Sequence, residues 1–191
     1  MIILASQSPR RRELLALMGL QFDVITSHVT EIPPVGAGPE ETVRTLALQK
    51  AQAVAINHPY DCIIGADTIV YLDGDIFGKP HTPENAKKYL TRMQGRQHTV
   101  YTGVALLTGG HADVRCCTTD VTFAPMTDAE IDWYISTGEP LDKAGAYGVQ
   151  GPGGIFVEKI SGNYFNVIGM PLPLLYRMLK ENHCLTYAGK E

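Results

Sequence analysis

The chain has 191 residues, of which 45% are apolar and 19% charged, ordinary values for a globular protein. Sixteen Lys and Arg against 20 Asp and Glu give a formal net charge of −4. That balance argues against a general nucleic-acid binder, which needs a basic excess to neutralise phosphates. The longest apolar stretch, from Cys62 to Leu72, contains Asp67 and is too short to span a bilayer. At the start of the chain the arginines follow the apolar residues, which is the reverse of a secretory signal, and the four cysteines lack metal-ligand spacing. We therefore expect a reduced, cytoplasmic protein.

Strands and helices are mixed along the predicted elements, and no linker separates them. Ser8 and Pro9 open the first helix, Asp73-Gly74 and Gly109-Gly110 form turns, and Thr127 with Glu130 forms a capping box. The sequence therefore predicts an α/β fold with two lobes sharing one sheet. In chain order we predict a strand over 1–5, a helix over 9–18, a strand over 22–26, a helix over 39–57, strands over 62–72 and 76–77, a helix over 83–93, strands over 99–107 and 114–123, a helix over 127–137, a Gly-rich loop over 138–154, a strand over 155–160 and a helix over 171–182.

The first turn of the first predicted helix carries Arg10, Arg11 and Arg12. A helix N-terminus is positive and favours acidic side chains, so each arginine opposes the dipole by a few tenths of a kcal/mol. This conflict favours a site for a multiply charged anion, bound by backbone N–H groups, serine hydroxyls and guanidinium groups. The alternative is a solvated basic turn beside Glu13.

Two charged residues interrupt apolar patterns. Lys50 falls in the apolar stripe of the predicted 39–57 helix, where a lysine either extends to solvent or meets a buried negative partner. Asp67 lies inside the predicted core strand, where a lone carboxylate costs several kcal/mol unless it is paired, metal-bound or protonated. Asp67 is therefore a candidate cation ligand or water-activating base; the alternative is a structural hydrogen bond to a loop.

Three further residues carry weaker signals. Lys79 precedes Pro80, which favours an extended backbone that projects the ammonium group. Gln150, in the Gly-rich loop, either reads a base edge through its amide or braces the loop. Glu31 is either a metal ligand or a surface acid. No histidine has ligand spacing and no nucleophile motif is present, which disfavours covalent catalysis.

Seven segments share the pattern of one known family: Leu4–Leu15, Lys50–Ala51, Gly65–Thr68, Gly78–Pro80, Thr102–Val104, Glu139–Gly151 and Gly162–Pro171. They resemble the Maf family of nucleoside triphosphate pyrophosphatases, also called septum-formation proteins. The resemblance spans almost the whole chain, in order and at the family's spacing.

The resemblance implies one domain over residues 1–191, with a fold similar to the inosine-triphosphate pyrophosphatases. Such a fold is an elongated mixed β-sheet with flanking helices and two lobes around a nucleotide cleft. The resemblance also implies hydrolysis of a nucleoside triphosphate to the monophosphate and pyrophosphate, with Mg²⁺ or Mn²⁺ as cofactor. It further implies a homodimer, and no nucleic-acid or membrane partner is expected.

Residue by residue, the resemblance assigns roles to the polar positions. Those that match the phosphate-binding loop are Ser8, Arg10 and Arg11. Those that match the polar residues of the cleft are Glu31, Lys50, Asp67 and Lys79. Asp67 matches the proton acceptor, and with Glu31 it is the expected metal ligand. The positions tied to substrate choice are Arg10, Thr68 and Gln150.

The motifs resemble the branch of the family that acts on dTTP and UTP. Two alternatives stay open at this point. One is the same chemistry on another base, such as 7-methyl-GTP. The other is a nucleotide-responsive binding protein that regulates septum formation, with catalysis secondary.

Overall fold

A computed structural model describes residues 1–26 and 29–185; Ser27, His28 and residues 186–191 lie outside that description. The strands are β1 (Ile2–Leu4), β2 (Asp23–Val24), β3 (Cys62–Leu72), β4 (Asp75–Phe77), β5 (Gln97–Thr108), β6 (His111–Phe123) and β7 (Val157–Gly162). The α-helices are α1 (Pro9–Ala16), α2 (Pro39–Ala55), α3 (Pro83–Met93), α4 (Asp128–Ser136), α5 (Tyr164–Ile168) and α6 (Leu172–Glu181). Three 3₁₀ turns cover Glu139–Asp142, Ala144–Ala146 and Pro152–Phe156. Among the described residues, no helix is both long and apolar enough to cross a bilayer.

The strands form one mixed sheet in the order β2-β1-β3-β5-β6-β7, with β4 paired to β3. β1 runs parallel to β2 and β3, with Ile3 opposite Ile63. β4 is antiparallel to β3, and β7 is antiparallel to β6. The predicted α/β fold with a mixed sheet and flanking helices is confirmed.

Several predicted boundaries agree with the structure. β3 and α3 have the predicted limits, and the capping box at Thr127 and Glu130 is present. The predicted 9–18 and 39–57 helices each end two residues early, at Ala16 and Ala55.

Two predictions after residue 138 need correction. The Gly-rich loop is partly ordered into 3₁₀ turns, and the last of these occupies Ile155, so the predicted 155–160 strand begins only at Val157. Helix α5 was not predicted, because its five residues are too few to show a helical repeat of apolar side chains.

The chain divides into two compact units. The first comprises Met1–Asp67, Gly103–Cys116 and Gly169–Glu191, and the second comprises Thr68–Thr102 and Cys117–Ile168. The first unit has a core of small and branched side chains where α2 packs on β1 and β3: Ile3, Ala5, Ala47, Ala51, Val54, Ile63 and Ala105. The core of the second unit is larger and aromatic, with buried members that include Leu90, Met93, Phe123, Tyr134 and Tyr147.

Candidate active site

The N-terminus of α1 is capped as the sequence predicts. Ser8 has an extended backbone, and its Oγ accepts the N–H of Arg11 at 3.4 Å. The Ser8 N–H in turn donates to Ser6 Oγ at 3.2 Å, and no acidic residue lies in the first turn of the helix. The positive end of the helix therefore has no acidic side chain in its own first turn.

The Arg11 guanidinium lies inward from this turn. Its Nε donates to the Gly169 carbonyl at 2.8 Å, and this hydrogen bond fixes the position of the guanidinium group. Burial lowers the pKa of Arg11, and the positive charge of Arg10 lowers it further, while Asp67 and Glu31 oppose that shift. Arg11 therefore lies within electrostatic range of Arg10, Asp67 and Glu31. We call these four residues and Lys50 the charged cluster.

Lys50 is the centre of that cluster. Its Nζ lies 2.6 Å from Asp67 Oδ1 and 3.1 Å from Glu31 Oε2. The side chains of Lys50 and Asp67 are each 12% exposed, whereas Glu31 is 48% exposed. Lys50 therefore meets a buried negative partner, Asp67, and does not extend to solvent. Asp67 is likewise a paired carboxylate, and its partner is a helix lysine, not a loop.

Two glycines bring α2 close enough to the sheet for this pairing. A Cβ on Gly65 would lie 2.2 Å from the Ala47 carbonyl oxygen, and a Cβ on Gly103 would lie 2.3 Å from that of Val43. Such distances are shorter than any real contact, so only glycine permits the backbone of α2 to pack directly on these strands. Lys50 follows Ala47 by one turn and thereby reaches Asp67, two residues beyond Gly65.

Gln49 holds the segment that carries Glu31. The Gln49 Nε2 donates to the Ile32 carbonyl at 2.8 Å, and its Oε1 accepts the Ile32 N–H at 3.0 Å. These two hydrogen bonds attach the backbone next to Glu31 to helix α2, beside Lys50. Sequence analysis missed Gln49; its only signal is its position directly before Lys50.

The carboxylates fit a divalent cation that is shared with a phosphate ligand. Among the residues that the structure describes, no three His, Cys, Asp or Glu side chains converge as a self-sufficient metal site. Glu31 and Asp67 nevertheless direct oxygens to the same Nζ atom of Lys50. Mg²⁺ is commonly held by one or two carboxylates plus phosphate oxygens, so this pair matches the expected donor set.

Thr68 begins the second unit and joins a hydrogen-bonded network. Its Oγ1 lies 3.0 Å from Thr102 Oγ1, and Thr102 donates its own proton to the Asn166 carbonyl at 3.1 Å, so Thr68 is the donor between the two hydroxyls. The buried Asn166 Nδ2 donates to Val100 O and Thr119 Oγ1, both at 3.1 Å. Sequence analysis missed Asn166, which stands out only as a polar residue in the Tyr164–Ile168 run.

Lys79 and Gln150 belong to the second unit, and both are exposed. Lys79 follows β4, directly before the buried Pro80. Gln150 lies between two of the 3₁₀ turns. Within the first unit, the structure thus brings Glu31 and Asp67 into contact with Lys50, and it places Arg11 within electrostatic range of both carboxylates. The predicted roles of Lys79, Gln150 and Thr68 toward a ligand stay predictions, as does the nucleotide cleft itself.

Comparison with solved structures defines the class of protein. The Ham1 protein of Staphylococcus aureus superposes with a TM-score of 0.55 at 17% sequence identity, covering 95% of this chain and 98% of that one. The chain is therefore an α/β protein with a Ham1-like fold, and its charged cluster adjoins a helix N-terminus suited to anions.

Sequence comparison then defines the family. The model of the Maf-like protein family matches residues 1–182. A Bacillus velezensis protein named dTTP/UTP pyrophosphatase is 47% identical over 180 residues, which cover 94% of this chain and 95% of the relative. A protein of the same name from Bacillus cytotoxicus is 49% identical over 179 residues, covering 94% of each chain. The chain belongs to the Maf family, as the resemblance predicted.

Proposed function

We propose that the protein hydrolyses nucleoside triphosphates, with dTTP and UTP as preferred substrates, to the monophosphate and pyrophosphate. The observation that carries this proposal is the cluster in which Lys50 joins Asp67 and Glu31, with the half-buried Arg11 within electrostatic range of both carboxylates. The names of the relatives at 47% and 49% identity supply the base preference.

Binding of the triphosphate is assigned to the first turn of α1. The positive N-terminal end of α1 and the guanidinium groups of Arg10 and Arg11 attract and bind the phosphate oxygens, and the Ser8 cap keeps the turn in place. Because Arg11 is already anchored to the Gly169 carbonyl, little side-chain entropy is lost when the anion binds. Lys79 contributes a further positive charge for the phosphates.

The chemical step is assigned to Asp67 and Lys50. Asp67 orients a water molecule toward the α-phosphorus and accepts its proton, while Lys50 neutralises charge that develops on the phosphoryl oxygens. Asp67 and Glu31 would hold the divalent cation, which when bound polarises those oxygens. The contact with Lys50 fixes the position of the Asp67 carboxylate, so its main contribution is the placement of the water.

Recognition of the base is assigned to the second unit. The Gln150 amide offers both a donor and an acceptor, which matches the adjacent O4 and N3 positions of uracil and thymine. Thr68, held by Thr102, contributes to the choice of substrate together with Arg10.

The decisive experiment compares Asp67→Asn with the wild-type enzyme. We expect turnover to fall by at least about 10²-fold while nucleotide binding is largely retained, because the arginine turn is unchanged. Asp75→Asn is the matched control, since Asp75 is an exposed residue at the start of β4 that pairs with Arg92 of α3. Pyrophosphate release and equilibrium nucleotide binding are measured with and without Mg²⁺. Full activity of the Asp67 variant would refute the assignment.

Base preference is tested separately with dTTP, UTP, CTP and 7-methyl-GTP as substrates. A clear preference for 7-methyl-GTP would overturn the proposed substrate, and binding without turnover of any of them would indicate a regulator instead of an enzyme. The cytoplasmic location rests on the N-terminal pattern and the cysteines, whereas the single domain over residues 1–191 and the homodimer rest on the family resemblance. Gel filtration at several concentrations tests the last of these.

A further inference from the structure

The backbone on both sides of Gln150 is held by two side chains of the second unit. Tyr134, on α4, donates its hydroxyl proton to Glu139 Oε2 at 2.7 Å and accepts the N–H of Gly148 at 3.1 Å. The same Glu139 Oε2 accepts the N–H of Gly153 at 2.9 Å. Residues 148 and 153 flank Gln150, so the two hydrogen bonds close a short loop around it.

Two positions of this loop have no space for any residue larger than glycine. A Cβ on Gly151 would lie 2.0 Å from Glu139 Oε1, and a Cβ on Gly153 would lie 2.2 Å from the Tyr134 hydroxyl. The loop backbone therefore packs directly against the carboxylate and the phenol, with no space for a side chain between them. The chain packs around Glu139 and Tyr134, and these two groups determine its path.

Tyr134 stays protonated throughout the neutral range. Burial raises the pKa of Tyr134, and the hydrogen bond to Glu139 raises it further, against a smaller opposing effect of the Gly148 N–H. The phenol thus stays protonated and serves as donor and acceptor at once. At the base of the loop, Lys143 Nζ donates to the Glu139 carbonyl at 3.0 Å and to Asp142 Oδ1 at 2.8 Å.

We propose that Tyr134 and Glu139 are positioning residues for substrate selectivity, which hold the loop so that Gln150 presents its amide to the base. The inference rests on the proposed function, in which Gln150 contacts that base. Gln150 itself is exposed, so its amide is directed chiefly by the backbone on either side. A backbone that is ordered before binding reduces the entropy lost on binding and excludes bases with the wrong edge.

The test uses Tyr134→Phe and Glu139→Ala, which each remove hydrogen bonds to the loop, and Glu139→Gln as a rescue. Glu139 accepts the Tyr134 hydroxyl and the Gly153 N–H at the same oxygen, so a glutamine that places its carbonyl there keeps both hydrogen bonds. Glu130→Ala is the matched control, because it breaks the capping box of the same helix without touching the loop. Two quantities are measured for each protein: the amide exchange rates of Gly148 and Gly153 without nucleotide, and kcat/KM for dTTP relative to CTP.

We expect amide exchange at Gly148 to accelerate about tenfold in Tyr134→Phe, and at Gly153 by a similar factor in Glu139→Ala. The preference for dTTP over CTP should fall about tenfold in both, which corresponds to about 1.4 kcal/mol. Glu139→Gln should stay within about twofold of wild type in both quantities, and Glu130→Ala should change only the melting temperature.

The outcomes separate the proposed function from the positioning role of Tyr134 and Glu139. A wild-type enzyme without preference for dTTP or UTP refutes the proposed function, and the exchange rates then decide alone whether Tyr134 and Glu139 hold the loop. A selective wild type whose preference is unchanged in Tyr134→Phe and Glu139→Ala refutes the inference, and so do unchanged exchange rates. Equal loss of selectivity in Glu130→Ala also refutes it, because helix destabilisation would then be sufficient.

Discussion

The pair formed by Lys50 and Asp67 allows a quantitative test of the site that does not depend on catalysis. The perturbation is a double-mutant cycle with Lys50→Met, Asp67→Asn and the combined variant. Each single change removes one charge at nearly constant volume and leaves the partner charge inside the cluster. The double variant removes both charges, so the difference isolates the interaction between them.

The expected coupling follows from the geometry. The two charged atoms are 2.6 Å apart and both side chains are 12% exposed, so at an effective dielectric constant of 20 their Coulomb attraction is about 6 kcal/mol. Glu31 also contacts Lys50, and Arg11 also attracts Asp67, so about half of that attraction should be replaced by other partners. We therefore expect a coupling of about 3 kcal/mol, against at most about 1 kcal/mol for an exposed pair.

The assay is urea denaturation of the four proteins in low and high salt. Each single variant should lose about 3 kcal/mol, or about 6–12 °C in melting temperature for a chain of this size. Because the pair is largely buried, high salt should reduce the coupling only slightly. A coupling below about 0.5 kcal/mol would mean that water screens the two charges as on a surface, and the buried cluster would then be rejected.

Three further predictions address the packing, the positioning of Glu31 and the pH dependence. Gly65→Ala places a Cβ 2.2 Å from a carbonyl oxygen of α2; it should cost about 3 kcal/mol, and an unchanged melting temperature would contradict the close approach of helix and strand. Gln49→Leu frees the Glu31 segment and should raise the Mg²⁺ concentration for half-maximal turnover about tenfold, whereas Gln52→Leu, on the exposed side of the same helix, should not. Burial lowers the pKa of His98 to about 4, below the value of about 6.5 in the unfolded chain. Since the unfolded chain binds the proton first, about 3 kcal/mol of stability should be lost as the pH falls from 6.5 to 4; urea unfolding of His98→Gln at both pH values should show that the loss is smaller.

Local patterns in the sequence determine much of the fold. Ser8 and Pro9 specify the start of α1 and the β3 limits coincide with its apolar run, because capping and burial depend on a few neighbouring residues. The prediction was wrong where a segment has no such pattern. The Pro152–Phe156 turn, rich in glycine, follows a path that Glu139 and Tyr134 decide from elsewhere in the chain.

The candidate site shows the same division. That Asp67 needs a partner follows from one carboxylate in an apolar strand, and that Lys50 needs one follows from one lysine in an apolar stripe. The sequence does not show that Lys50 and Asp67 are each other's partner. Their pairing depends on how closely α2 packs on the sheet at Gly65 and Gly103.

The sequence by itself determined the class of fold, the family and the identity of the charged residues, because alternation, capping and uncompensated charge can be recognised from residue types and their spacing alone. Only the tertiary structure decided which charges meet, how Gln49 attaches the segment of Glu31 and which side chains hold the loop around Gln150. These are distances between residues far apart in the chain, and the packing of backbone against backbone sets them.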